Sequence, residues 1–241
     1  MTKLSVNVNK IALLRNSRTI DIPNLLHLSQ TCIDAGCQGI TVHPRPDERH
    51  ITEKDVYDLA EIVDSVEYNI EGNPFPRFLD IVRKVKPTQA TLVPDDPAAF
   101  TSDHGWDLEK EGNRLLPIVQ ELHDLGVRVS LFMDPDPNAI ERAKGVGADR
   151  IELYTEPYAT AHRDDRADPV FQEYAEAAKV ARDLGLGINA GHDLNLANLG
   201  QFITIPQILE VSIGHALIGD ALEMGLSQAV KAYLKVLSTA E

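Results

Sequence analysis

Four short segments of the chain share one order of polar and apolar positions. DAGCQGITVH, DLGVRVSLFM, GVGADRIELY and DLGLGINAGH each contain a glycine that follows a polar stretch and precedes a short apolar run. A glycine in this place ends a helix in the left-handed conformation, and the apolar run has the length of a buried strand. The pattern predicts the second half of a repeated β/α unit.

Further apolar runs without this glycine bring the number of predicted strands to eight. Their starts recur about every 30 residues, which suits a strand, a helix and two loops. The runs show little strict alternation, as expected for strands covered on both faces. The predicted strands span residues 4–8, 39–43, 68–71, 90–93, 128–133, 150–153, 187–191 and 210–214.

Helical patterns lie between these strands, and they complete eight repeated units. Eight such units predict an α/β fold, a (β/α)8 TIM barrel with extra short helices, in one domain over residues 1–241. A doubly wound open sheet is the alternative, but it requires a topological switch that the pattern does not contain. The predicted helices span residues 23–35, 53–64, 74–85, 108–125, 137–145, 169–184 and 227–239.

Composition narrows the class of partner. The formal net charge of −14 argues against non-specific binding of nucleic acid, which needs a basic surface. Neither a signal peptide nor an apolar run long enough to cross a membrane is apparent, so we expect a cytoplasmic protein. Cys32 and Cys37 are too few for a disulfide framework or a zinc site and are expected to be buried free thiols.

Polar residues recur where the predicted strands end, and this is where a barrel of this kind builds its site. Each residue alone is more often a satisfied structural group, but ionisable side chains gathered in a barrel mouth are costly unless they serve a function. Two carboxyls and at least two histidines suit repeated proton transfers. The residues at these ends are Asn7, Asn9, His43, Arg45, Glu71, Thr101, Glu152, His192, Gly214 and His215.

The eighth unit suggests an anion site. Gly214 and His215 open a short helical run after the last strand, where barrel enzymes often bind phosphate through backbone N–H groups. Arg15, Arg18 and Arg45 offer positive charge, although Arg15 and Arg18 equally suit solvated loop positions.

We expect no metal, because the first strand carries Asn7-Val8-Asn9 in place of a His-x-His pair and His104 and His162 lie in loops without ligand spacing. We also expect no cofactor.

The connection over residues 93–107, VPDDPAAFTSDHGWD, is longer than a typical βα loop. Loops of this length often act as lids that exclude water from a site. A rigid surface excursion is the alternative.

The sequence resembles the pyridoxine 5′-phosphate synthase family from residue 6 to about residue 226. The resemblance implies that 1-deoxy-D-xylulose 5-phosphate condenses with 3-amino-2-oxopropyl phosphate, giving pyridoxine 5′-phosphate, phosphate and water. It also implies a homo-oligomer, an octamer in characterised members. The segments that carry it are VNVNKIALLRNSR, GITVHPRPDERHI, NIEGN, LVPDD, VSLFMD, IELYT, NAGHDL and SIGHALIGDALEMGL.

Roles for individual residues follow only from this resemblance. It implies that His43 and Glu71 accept protons, that His192 donates one, and that Glu152 stabilises a transition state. The residues implied to contact the amino substrate are Asn7, Arg18, Gly214 and His215, and those implied to contact the pentulose phosphate are Asn9, Lys10, Arg45, His50 and Thr101.

The chain departs from the family pattern at two places. Asn9 and Lys10 stand where much of the family has Asp-His, so a hydrogen-bonding group is kept while the charge changes. Asp193 stands where a glycine often follows the acid histidine, and a backbone contact to substrate there is expected to persist.

Two other functions are weighed. A phosphate-binding barrel lyase or aldolase would want a Schiff-base lysine at a strand end, and Lys10 lies just past the first strand. A catalytically silent barrel that binds a phosphorylated ligand would not need His43, Glu71 and His192 together.

Overall fold

The computed structural model describes residues 1–97, 99, 101–164 and 166–239. Eight parallel strands follow one another around a closed barrel in which the last strand returns to pair with the first. The predicted barrel is therefore confirmed, and the alternative of an open doubly wound sheet is wrong. The strands are β1 (Lys3–Asn7), β2 (Gly39–Val42), β3 (Glu67–Gly72), β4 (Gln89–Leu92), β5 (Arg128–Met133), β6 (Arg150–Tyr154), β7 (Gly187–Gly191) and β8 (Ile208–Ile213).

Helices surround this barrel, and those predicted from the sequence agree within a few residues. The helical run after Gly214 is also present, whereas three short helices of the described residues were not predicted: those over Asn9–Asn16, Glu156–Arg163 and Leu199–Phe202. The helices of the described residues are α1 (Asn9–Asn16), α2 (Leu25–Asp34), α3 (Glu53–Ala60), α4 (Pro76–Val85), α5 (Leu108–Asp124), α6 (Pro137–Val146), α7 (Glu156–Arg163), α8 (Ala167–Asp183), α9 (Leu199–Phe202), α10 (His215–Met224) and α11 (Leu226–Leu237).

Local sequence sets the ends of the helices that were predicted. The Asp136 carboxylate accepts the N–H of Asn138 at 2.9 Å, and Pro137 occupies the first helical position of α6. The four glycines that were predicted to end helices all have positive φ, between 73° and 106°. They are Gly36, Gly126, Gly147 and Gly185.

The strands alternate more strictly than expected, so the interpretation of little alternation is wrong. One face of each strand is apolar and packs outward against the helices, as Val6, Ile70 and Leu131 do in the main hydrophobic core. The other face points into the barrel. Asn189 Nδ2 donates to Gln89 Oε1 at 3.4 Å, and this bond crosses the interior from β7 to β4.

Most side chains inside the barrel are polar, and several of them are hydrogen-bonded to one another. Ser5 and Thr41 share a hydrogen bond of 2.7 Å, and the Thr91 hydroxyl donates to Asn69 Oδ1 at 2.9 Å. Because the interior of most such barrels is filled by branched apolar residues, this lining is unusual for the fold. It places hydrogen-bonding groups directly below the mouth of the barrel.

An ion cluster lies near the amino-terminal end of the barrel. Glu67 accepts hydrogen bonds from Lys3 and from Arg128, and the Arg128 Nε atom also donates to Gln89 Oε1 at 2.9 Å. The side chain of Glu67 is only 18% exposed and that of Arg128 24%, so these two charges are partly desolvated.

Two further expectations concern the whole chain. Both cysteines, Cys32 and Cys37, are buried and free, as predicted. No helix in the described part of the chain has both the length and the apolar character needed to span a bilayer.

We expect Glu67→Gln to lower the free energy of unfolding by about 2 kcal/mol, because it removes charge-assisted hydrogen bonds and leaves Arg128 unpaired. Glu111→Gln is the matched control, since Glu111 pairs with Arg114 on an exposed face and its loss should cost less than about 1 kcal/mol. Urea unfolding at neutral pH measures both. Equal losses in the two variants would contradict a structural role for the ion cluster.

Candidate active site

A cavity of about 460 Å³ opens at the carboxyl ends of the strands. Among the described residues, it is lined by every residue that the sequence analysis placed in the site except Arg15 and Arg18. Four lining residues were not singled out from the sequence: Leu13, Arg49, Ser102 and Ser212. The sequence could have indicated these residues only through their position, because each lies within a few residues of a predicted site residue or at the end of β8. The expected residues in its wall are Asn7, Asn9, Lys10, His43, Arg45, His50, Glu71, Thr101, Glu152, His192, Asp193, Gly214 and His215.

Two arginines proposed for anion binding lie elsewhere. Arg15 pairs with Asp55 at 2.6 Å, and that carboxylate also closes the capping box of α3 with Thr52. Arg18 is exposed and is not among the described residues that line the cavity. Within this chain, the guanidinium groups at the cavity are those of Arg45 and Arg49.

The first two strands are joined at the mouth by asparagines. Asn7 Oδ1 accepts the N–H of Asn9 at 3.1 Å as α1 begins, and Asn9 Oδ1 accepts the N–H of His43 at 3.0 Å. An amide oxygen at residue 9 is sufficient for this contact, because a backbone N–H needs an acceptor and not a charge. The departure at Asn9 therefore leaves the backbone of His43 held in place.

The histidines at this side of the cavity are kept neutral. Burial lowers the pKa of His43 well below its usual range, and Arg45 and His50 lower it further. Burial likewise lowers the pKa of His50 to about 4, and its Nδ1 accepts the N–H of Ile51 at 2.9 Å. In the neutral ring this bond leaves the hydrogen on Nε2.

Two buried carboxyls face the same space. Burial raises the pKa of Glu71 well above its usual range, and the neighbouring Glu152 carboxyl raises it further. Burial is also the main reason that the pKa of Glu152 is raised, followed by the charge of Glu210. Ionisation of both neighbouring buried carboxyls is disfavoured, so the pair holds protons to a higher pH than exposed carboxyls do.

Glu152 owes its position to a missing side chain. Gly191 faces it from β7, and a Cβ atom at that glycine would overlap Oε1 of the carboxyl group. The second oxygen, Oε2, is buried and has no hydrogen-bond partner among the residues that the structure describes. A buried carboxyl oxygen without a partner is costly, and a polar group of a bound substrate would satisfy it.

His192 adopts an unusual backbone conformation. Its φ is 81° and that of Asp193 is 57°, both in the left-handed region that non-glycine residues rarely adopt. The imidazole lies 5.1 Å from the ring of Phe132 and 5.5 Å from that of Tyr154, measured between centroids. Burial lowers the pKa of His192 to about 4, while the charge of Asp95 acts in the opposite direction.

The loop after β4 is attached to this wall by Arg45. The guanidinium forms a buried ion pair with Asp95 and donates to the carbonyl of Ala99 at 3.0 Å. The Ser102 hydroxyl donates to the same Asp95 carboxylate at 2.7 Å. Residues 98 and 100 lie outside the described residues, and the lid function of this loop stays a prediction.

The described residues contain no candidate metal site. No group of three or more histidine, cysteine, aspartate or glutamate side chains there has an arrangement that would hold a metal ion. Lys10 lies in the first turn of α1 and lines the cavity, so an amine is within the site.

We expect Gly191→Ala to lower the free energy of unfolding by about 1–3 kcal/mol, because the added methyl group overlaps the Glu152 carboxyl in a packed wall. Gly145→Ala is the control: this helical glycine has nothing within 4 Å of an added Cβ, and the substitution should be neutral or stabilise by up to about 1 kcal/mol. Thermal and urea unfolding check both. A neutral Gly191→Ala would show that Glu152 has other room.

Stability should depend on pH in two directions. His43 and His192 have lowered pKa values, so their contribution is complete above the unfolded value of 6.5 and is lost as pH falls through the folded values, of which that of His192 is about 4. Glu71 and Glu152 have raised pKa values, so their contribution is complete below the unfolded value of 4.5 and is lost as pH rises through the folded values.

The alkaline arm can be tested with one substitution. Glu152→Gln cannot ionise at this position, so its stability relative to the unsubstituted protein should increase as pH rises from about 5 to about 8, the range between the unfolded and folded pKa values of Glu152, as measured by urea unfolding. The exposed Glu223→Gln is the control and should show no such trend. A difference between Glu152→Gln and the parent that is constant with pH would contradict the raised pKa.

Comparison with known proteins adds to this geometry. Residues 4–239 match the family described as pyridoxal phosphate biosynthesis protein PdxJ. Pyridoxine 5′-phosphate synthase of Albidiferax ferrireducens is 52% identical over 246 residues, covering 98% of each chain. The enzyme of the same name from Bacteroides fragilis is 54% identical over 238 residues, covering 98% of this chain and 100% of the relative.

Solved structures with low sequence identity share the fold alone. One described as native KDPGal superposes with a TM-score of 0.64 at 12% identity, covering 100% of this chain and 96% of that one. Phosphoribosyl anthranilate isomerase gives a TM-score of 0.60 at 13% identity, covering 99% and 100%. With a family match over almost the whole length and relatives above half identity, the chain belongs to the PdxJ family of pyridoxal phosphate biosynthesis proteins.

Proposed function

We propose that the protein is a pyridoxine 5′-phosphate synthase, which condenses 1-deoxy-D-xylulose 5-phosphate with 3-amino-2-oxopropyl phosphate. The products are pyridoxine 5′-phosphate, phosphate and water. The observation that carries the proposal is one cavity that brings two buried carboxyls of raised pKa together with histidines of lowered pKa. The relatives named above support the choice of substrates.

The reaction consists largely of proton transfers. An amine adds to a ketone, water and phosphate leave, and a carbanion closes the ring, so each step needs an acid or a base. In this proposal Glu71 and His43 accept protons, because a raised carboxyl pKa strengthens the base and a neutral imidazole has a free nitrogen. Glu152 stabilises charge that develops in the transition state.

His192 serves as the proton donor once substrates are bound. Its low pKa belongs to the protein without phosphate, where Arg45 and Lys10 add to the effect of burial. Two phosphorylated substrates bring negative charge into the cavity, and a nearby negative charge raises the pKa of a histidine. The imidazole would therefore be protonated in the complex that needs a donor.

Phosphate recognition is assigned to two groups of residues at the cavity. Arg45, His50 and Lys10 supply donors near β1 and β2, together with Asn9 and Thr101, and Lys10 adds charge relative to the family pattern. At the end of β8, which pairs with β1, Gly214 precedes α10, and a Cβ atom added there would lie 3.1 Å from Asn7. The backbone N–H groups in the first turn of α10, from His215 on, have no partner within the helix, and the start of a helix attracts anions.

The remaining expectations are also proposals. Arg18 and the backbone of Asp193 are assigned to substrate binding on the resemblance alone. We expect a cytoplasmic homo-oligomer, an octamer by resemblance, and Ile20, Ile22 and Leu222 support assembly because each is more than 60% exposed. Light scattering on the purified chain measures this state.

Purified protein given both substrates without added metal should form pyridoxine 5′-phosphate, followed by its absorbance. Glu71→Gln and His192→Ala should each lower kcat by about 10²–10⁴-fold, since each removes an acid or base. The exposed His27→Ala is the control and should retain full turnover.

Calorimetric binding of the pentulose phosphate separates the alternatives. Binding that persists in Glu71→Gln while turnover collapses supports the synthase. Binding without product in the unsubstituted protein would favour a silent phosphate-binding barrel. Product formation that depends only on Lys10, tested with Lys10→Met, would favour Schiff-base chemistry of the aldolase type.

A further inference from the structure

Thr155 follows β6 directly and is completely buried beside the turn that carries His192. We propose that Thr155 is a positioning residue, whose hydroxyl holds the backbone of the His192–Asp193 turn so that the imidazole stays over the cavity. The role of that imidazole in turnover rests on the proposed function. The position of the ring does not.

The Thr155 side chain is diverted from the bond that its place in the sequence predicts. It is the N-cap residue of α7, where a threonine oxygen ordinarily accepts an N–H from the first turn. Within the described chain it makes no such cap bond. Its hydroxyl instead lies 2.6 Å from the carbonyl oxygen of Gly191 and still closer to that of His192.

One hydroxyl proton is shared between these two carbonyls, because a threonine side chain has a single donor. The backbone N–H of Thr155 adds a third bond, to the Gly191 carbonyl at 2.9 Å. Thr155 is thus hydrogen-bonded to two successive peptide units at the end of β7, those that contain the Gly191 and His192 carbonyls. Those units lead directly into the left-handed residues.

This turn needs external support. Each of the positive φ angles at His192 and Asp193 costs about 1–3 kcal/mol when the residue is not glycine, and such a conformation persists only where surrounding contacts hold it. Asn198 Nδ2 donates to the Asp193 carbonyl at 3.1 Å and holds the far side. Thr155 holds the near side.

The position of the His192 imidazole is restricted, because two aromatic rings pack against it. Phe132 and Tyr154 contact it at interplanar angles of 59° and 76°, so a rotation of the His192 backbone would carry the ring out of this corner. The carbonyl of Tyr154, the last residue of β6, accepts a hydrogen bond from the Tyr174 hydroxyl, and this bond holds the end of the strand. A displacement of about 1 Å at a reacting group can cost about 10²-fold in rate.

Three variants test the assignment. Thr155→Val keeps the shape of the side chain and removes the hydroxyl, and Thr155→Ser restores the hydroxyl. Thr204→Val is the matched control, since the Thr204 hydroxyl donates to the Gln201 carbonyl at 2.7 Å on an exposed face. Thr155→Ala provides a second loss of the hydroxyl with less crowding if the valine variant does not fold.

Two measurements are made on each folded variant. In the protein labelled with ¹⁵N-histidine and free of substrate, Thr155→Val should shift the His192 imidazole signals, which His192→Gln identifies. In turnover, kcat should fall by about 10–100-fold with little change in KM. Thr155→Ser should restore both readouts, and Thr204→Val should change neither.

An unchanged His192 signal and kcat in Thr155→Val, or in Thr155→Ala, would overturn the proposal. Failure of Thr155→Ser to restore them would also overturn it, because the loss would then come from packing. If the unsubstituted protein makes no product, the proposed function fails, but the imidazole signals still decide the role of Thr155.

Discussion

Polar groups taken out of water need partners, and the inner wall of this barrel consists almost entirely of such groups. Bonds such as those between Asn189 and Gln89 run across the interior, so the strands are tied through their side chains as well as their ladders. A slip of one residue in any strand would turn its polar face toward the helices. The network thereby holds the strand ends, and with them the site, in one register.

The site continues this polar wall toward the carboxyl ends of the strands, where not every polar group has a hydrogen-bond partner in the described chain. Glu152 is the register neighbour of Asn189, yet one of its carboxyl oxygens has no partner among the described residues. Glu71 and His43 are both buried in this wall, and burial raises the pKa of the carboxyl and lowers that of the imidazole. The barrel therefore supplies acids and bases near neutral pH through burial, and Arg45 adds positive charge beside them.

Elements whose boundaries depend on local chemistry were predictable. The glycine-ended helices and the strand spacing follow from residues close together in the chain. Helices α1 and α7 were not predicted, because each has only eight residues and begins two residues after the end of a strand, where a βα loop was expected. The inward polar face was misinterpreted, because polar alternation was not expected of strands covered on both sides.

By itself the sequence determined the order of the elements, the barrel they build, and the ring of ionisable residues at its mouth. These depend on periodicity and on glycine conformation, which are local properties. Only the tertiary structure decided that Arg15 pairs with Asp55, that Arg18 stays outside the cavity wall of the described chain, and that Gly191 makes room for Glu152. Such contacts join residues far apart in the chain, and the physical reason is that closure of the barrel selects the partner of each buried group.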